Sequence, residues 1–86
     1  MHRYNTRAAR QARAEAREQI QAWRQLIQAK KDERAYYRYE RDLDPDLPWG
    51  GRWWLNTEIR TLTDEIKELQ ALIADKKAEV PDYRNP

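Results

Sequence analysis

The apolar positions in the C-terminal half of the chain repeat every seven residues. Ile59, Ile66, Ile73 and Val80 form one series, and Leu55, Leu62 and Leu69 form a second that Lys76 breaks. The two series are offset as the two core positions of a heptad. β-Branched residues at one position with Leu at the other favour two strands in parallel coiled coils, because of how each side chain enters the facing hole. Sustained over about three heptads, the pattern predicts an amphipathic helix that pairs with another helix. Helix 1 of the same chain is the favoured partner; a second copy of helix 2 in a parallel dimer and a groove on another protein are the alternatives.

The N-terminal half is less apolar. Its stripe follows a period of about 3.6 residues, with Ala9, Ala12, Ala16, Ile20, Trp23, Ile27 and Tyr37 on roughly a third of the circumference. Residues 6–42 are rich in Ala, Arg, Gln and Glu with no internal breaker, which predicts one long helix. Asn5 is placed to cap it, and Asp44-Pro45 to stop it, since the residue before Pro is steered out of helical geometry. All the Gly (Gly50, Gly51) and two of the four Pro (Pro45, Pro48) fall in 43–55, read as an elbow. Asn56 then caps helix 2 over 56–80, Glu58 suits its first turn, Lys76 and Lys77 its last, and Val80-Pro81 ends it ahead of a short tail, 81–86.

No strand pattern or internal repeat is present. The expected fold is all-α: one antiparallel two-helix hairpin with a heptad on helix 2, completed by oligomerisation or a partner. At 1.5 Å per residue, helix 1 would be about 55 Å long and helix 2 about 36 Å, so helix 1 would overhang by roughly 13 residues at its N-terminal end. Two helices share only one face, and a chain this short buries little surface, so a lone hairpin is expected to be weakly stable.

Composition narrows the function. The chain has 86 residues, no Cys, no Ser and no Phe, and one His, at position 2. A disulfide scaffold and a thiolate zinc site are excluded, no Ser or Cys nucleophile exists, and no second His completes an acid–base or metal pair. Catalytic residues, metals, cofactors and small-molecule substrates are therefore not expected. No apolar run spans a bilayer and no charged-then-apolar leader precedes the helices, so the expected location is intracellular or within a virion.

Charge adds an asymmetry that the net +2 conceals. Residues 1–31 carry eight basic and two acidic side chains, whereas residues 32–86 carry nine basic and thirteen acidic ones. Within the basic end, Arg3, Arg7, Arg10, Arg13, Arg17 and Arg24 lie within about 120° of helix 1, beside the Ala face. Guanidinium forks bind phosphate and carboxylate, so the stripe fits an acidic protein surface or nucleic acid, although a solvated face is the commoner use of such a row. No aromatics interleave with these arginines as base stacking would want.

The large apolar side chains concentrate at the elbow. Tyr36, Tyr37 and Tyr39 precede it, Trp49, Trp53 and Trp54 sit in or just after it, and Leu43, Leu47 and Leu55 accompany them. Trp and Tyr are typical interface anchors, since each buries much area at little entropy cost. Inward folding over the hairpin end can absorb some of them, but six aromatics exceed what one tip needs, so one or two Trp are expected to touch a partner. Arg52 is placed to stack on a ring. Asp42, Asp44 and Asp46 mimic the start of a calcium loop, but Leu47 and Trp53 stand where its Gly and closing acid belong, leaving turn and cap roles.

Two families share fragments of this pattern. Trp49-Gly50-Gly51 spells the Trp-x-Gly signature of the small secreted WXG hairpins, which the chain also resembles in length and topology. Their acidic tail is not recognisable, and Pro81-Asp82-Tyr83 interrupts that segment. The basic-segment, helix, loop, helix order resembles basic helix-loop-helix regulators, but helix 1 is about twice their usual length and their base-reading pattern is missing from residues 1–20. Neither family's function is carried over. The expectation is a non-enzymatic protein–protein interaction or structural subunit: an accessory subunit of a larger assembly, or a phage-type virion component or inhibitor of host machinery. Nucleic-acid binding through the arginine stripe is the alternative. Helix pairing is assigned to Leu55, Ile59, Leu62, Ile66, Leu69, Ile73 and Val80 with Ile20, Trp23 and Ile27. Partner contact at the elbow is assigned to Tyr36, Tyr39, Trp49, Arg52, Trp53 and Trp54.

Overall fold

The computed structural model describes residues 6–80 and Tyr83. Two helices, α1 (Arg7–Leu43) and α2 (Trp49–Glu79), pack antiparallel as a hairpin, with no strand among the described residues. The radius of gyration is 18.9 Å, where a compact chain of this length would have about 12 Å. The molecule is a rod, and its core is one seam.

Local chemistry accounts for the ends. Thr6, not Asn5, caps α1: its hydroxyl accepts from the Ala9 amide at 3.1 Å. Asn5 lies outside the described residues. Asp44 stops α1 in extended geometry, and its carboxylate accepts from the Asp46 amide at 3.0 Å while its carbonyl accepts from the Leu47 amide at 3.2 Å. The elbow is therefore only Asp44–Pro48, and α2 begins seven residues before the expected Asn56 cap. Pro48 supplies the helix entry, with φ −55° and a carbonyl that accepts from the Arg52 amide at 3.0 Å. Gly50 and Gly51 fall in the first helical turn, where early amides lack intrahelical partners in any case. The Trp-Gly-Gly triplet is thus helical, not the hairpin loop.

The seam runs along one face of each helix. On α2, Leu55, Ile59, Leu62, Ile66 and Ile73 are buried, while Leu69 and Val80 are half-buried. On α1, the residues turned to α2 alternate at spacings of four and three: Ala16, Ile20, Trp23, Ile27, Lys30, Arg34, Tyr37 and Arg41. Ile20, Ile27, Ile66 and Ile73 form the densest cluster, with Trp23, Leu69 and Tyr83 against it. Each such buried aliphatic contributes about 1.5–3 kcal/mol relative to exposure.

Toward the elbow, the α1 side of the seam becomes polar. Lys30 Nζ meets Glu65 Oε2 at 3.3 Å, Arg34 Nη1 donates to the Thr63 hydroxyl at 3.1 Å, and Arg41 Nη1 donates to Asn56 Oδ1 at 3.0 Å. The aliphatic stems of these side chains cover α2 residues while their heads reach partners at the rim. The same pairs set the register, since facing residue numbers add to about 96. By that register α2's first turn projects past the end of α1, and about ten residues of α1 extend beyond α2. The overhang is shorter than expected and its Ala stripe is not all exposed: Ala16 is buried, beside Val80 and Lys76 in a shallow depression shared with Ala12 and Gln19.

Candidate functional site: the aromatic elbow

Because Pro48 starts α2 early, Trp49, Trp53 and Trp54 stand on a rigid helical turn. Trp49 is 80% exposed, Trp53 56% and Trp54 47%. Trp49 and Trp53, four residues apart, share one flank of α2, whereas Trp54 turns to the other. Tyr36, Tyr39 and Leu43 are also exposed, on the back of α1's last turns. The inward folding that could have absorbed these rings involves mainly Tyr37 and Trp54, which meet edge-on at 5.5 Å and 78°. Aromatic rings offer about 150–250 Å² each, so this end of the rod exposes much ring surface, spread over both flanks of α2 and the back of α1.

Polar groups hold the rings in place. Tyr37 donates from its hydroxyl to Glu33 at 3.2 Å, and its pKa is raised by partial burial and by that carboxylate. Tyr36 lies 6.0 Å from Tyr37, and a hydrogen bond to Glu40, with that residue's negative charge, raises its pKa. Arg52 does not stack on a ring as its first role. Its guanidinium donates to the Asp44 and Pro45 carbonyls at 3.4 Å, tying α2's first turn to the elbow. Beside it a groove of about 230 Å³ is lined by Trp49, Arg52, Trp53, Asn56, Thr57 and Arg60. The groove joins two indoles to two guanidinium groups and an amide, so it can contact an apolar group and a carboxylate side by side.

The other assigned residues disperse. Arg3 lies outside the described residues; Arg7, Arg10, Arg17 and Arg24 are exposed along α1, and Arg13 is half-buried. They do not converge on the elbow. The helix-pairing set is brought together along the seam. Asp44 is a turn residue, Asp42 accepts from Arg41 Nε at 3.1 Å, and no group of three His, Cys, Asp or Glu suited to a metal occurs among the described residues. None of the described helices is long and apolar enough to cross a membrane.

Several participants do not stand out in the hydrophobic pattern. Lys30, Arg34 and Arg41 were available in the four-three spacing, which continues past Ile27 when polar residues are admitted. Leu26 and Leu72, both exposed, sit level with each other on one edge by the register. Tyr83 folds back onto the isoleucine cluster, with its amide donating to the Val80 carbonyl at 3.3 Å. No family model, curated protein or solved structure matches the chain.

Proposed function

We propose that the chain is a non-enzymatic interaction or structural subunit, a helical hairpin that docks on a larger assembly through its aromatic elbow. Exposure carries this reading: three Trp on one rigid turn stand 47–80% exposed, where a free monomer would be expected to fold such rings inward. Buried Trp and Tyr anchors dominate interface energies, so the exposed rings are where binding energy would be gained. The inventory supports the same reading, since the chain lacks Ser and Cys and its one His is His2. An accessory subunit of a cellular complex and a phage-type component or inhibitor both fit a small rod with one adhesive end.

The test is affinity capture with the wild-type chain and with Trp53→Ala/Trp54→Ala, after circular dichroism has shown that both are helical. The proposal expects a partner retained by the wild type and lost from the variant, with each buried Trp removed costing about 2 kcal/mol or more. Undiminished capture by the variant would move the interface elsewhere.

A further inference from the structure

The register divides the rod's charges between its two long edges. On α1, every seventh residue from Arg10 is basic: Arg10, Arg17, Arg24, Lys31 and Arg38, all exposed. This position flanks the seam, where two-stranded coils usually place charges that pair across it. Here the facing α2 positions are Asn56, Thr63, Gln70 and Lys77, none of them acidic. The next α2 row on that edge adds exposed Arg60 and Lys67. The acids are elsewhere. Glu33, Glu40, Glu58 and Glu65 occupy the opposite edge, where Glu33 accepts from Tyr37, Glu40 is bonded to Tyr36, and Glu65 meets Lys30. Nearest the basic edge are Asp42, held by Arg41, Glu18 and Asp32 on one neighbouring row of α1, of which Asp32 accepts from Gln28, and Asp64 on the back of α2.

We propose that this composite basic edge binds the phosphate backbone of nucleic acid. The edge meets the elbow groove at Asn56 and Arg60, but its α1 row from Arg10 to Lys31 runs away from the elbow and does not depend on the elbow's function. Its basic row runs straight for about 42 Å with a charge every 10.5 Å or so, matching a linear polyanion more than a compact acidic patch. Four of its five members are Arg, whose forks fit phosphate oxygens. Between them the Asn56 and Gln70 amides can complete phosphate contacts, whereas the Thr63 hydroxyl is already engaged, donating to the Ile59 carbonyl and accepting from Arg34. The edge carries no exposed large apolar side chain away from the elbow; protein interfaces need such anchors, whereas nucleic-acid interfaces are polar and strongly positive. A second copy's acidic edge is a poorer occupant, because most of its carboxylates are already engaged within their own chain.

The test is fluorescence anisotropy of the full chain with a labelled 30-base-pair DNA duplex and a 30-nucleotide single strand, over about 50–400 mM salt. Binding at low salt with a negative log–log salt slope is expected, duplex and single strand reporting which form the edge takes. Arg17→Gln/Lys31→Gln should weaken it about tenfold or more and flatten the slope by about two. Lys30→Gln/Lys76→Gln, which removes the same charge from the opposite side of the seam, beside Glu65 and Glu79, should change it less than twofold. Any of four results overturns the proposal: no binding of either probe at the lowest salt, equal losses in both variants, tighter binding of polyglutamate than of nucleic acid, or a dimer in light scattering that only the row variant dissolves.

Discussion

Tyr83 brings an aromatic ring to the isoleucine cluster together with a buried hydroxyl that has no hydrogen-bond partner among the described residues. Burying an unpaired hydroxyl costs about 1–3 kcal/mol. Tyr83→Phe is therefore expected to leave stability unchanged or raise it by about 1 kcal/mol, and Tyr83→Ala to lower it by about 2 kcal/mol or more, read from urea midpoints. Equal losses in both would mean that the hydroxyl is paired. Gly50 sits in the first turn of α2 with nothing within 4 Å of an added Cβ and no left-handed φ to accommodate. Gly50→Ala is expected to stabilise the hairpin by about 0.5–1 kcal/mol through the unfolded chain's entropy; destabilisation would return that residue to a loop. The raised pKa of Tyr36 means that the folded chain holds the phenol proton more tightly than the unfolded chain. That contribution to stability is present below the ordinary value of 10.0 and is lost as pH rises through the folded value. In an ultraviolet titration, Glu40→Gln should shift one tyrosine to lower pH; superimposable curves would contradict the assigned cause.

At the scale of the helices, the seam explains both what was legible in the sequence and what was not. The α2 heptad is readable because its core positions are all aliphatic from Leu55 to Ile73, so the seven-residue period shows without any partner in view. The two helices and the hairpin follow from that and from the unbroken helix-forming run before Asp44. The α1 seam is legible as far as Ile27 and again at Tyr37, but Lys30, Arg34 and Arg41 occupy core-facing positions that a hydrophobic count treats as surface. The start of α2 was obscured for a different reason. Gly-Gly reads as loop on propensity, but the Pro48 geometry, the Arg52 ties to the elbow and the packing of Leu47 against Gly51 outweigh a cost of about 1 kcal/mol per Gly. Ile66→Asp, which puts an unpaired charge beside Ile20 and Ile27, should cost several kcal/mol and abolish cooperative thermal unfolding. An unchanged melting curve would remove the seam from the account.

Over the whole molecule, a narrow seam leaves most side chains of both helices exposed, so what the rod presents is set by which residues surround the seam. The elbow's composition made it legible as a candidate docking end, but the rings' directions depend on where α2 begins, which composition does not give. The separation of acidic and basic edges was hidden further still, because it requires the register between residues some thirty positions apart. Partner binding at the elbow, as proposed, makes that end of the rod the place where a crosslinker meets the partner. Its most direct test places a photo-crosslinking phenylalanine derivative at Trp49 in one sample and at Glu68, on the back of α2, in another, with adducts identified by mass spectrometry after irradiation with native partners. A discrete adduct from position 49 and none from position 68 is expected. Adducts of equal yield from both, or from position 68 alone, would contradict it.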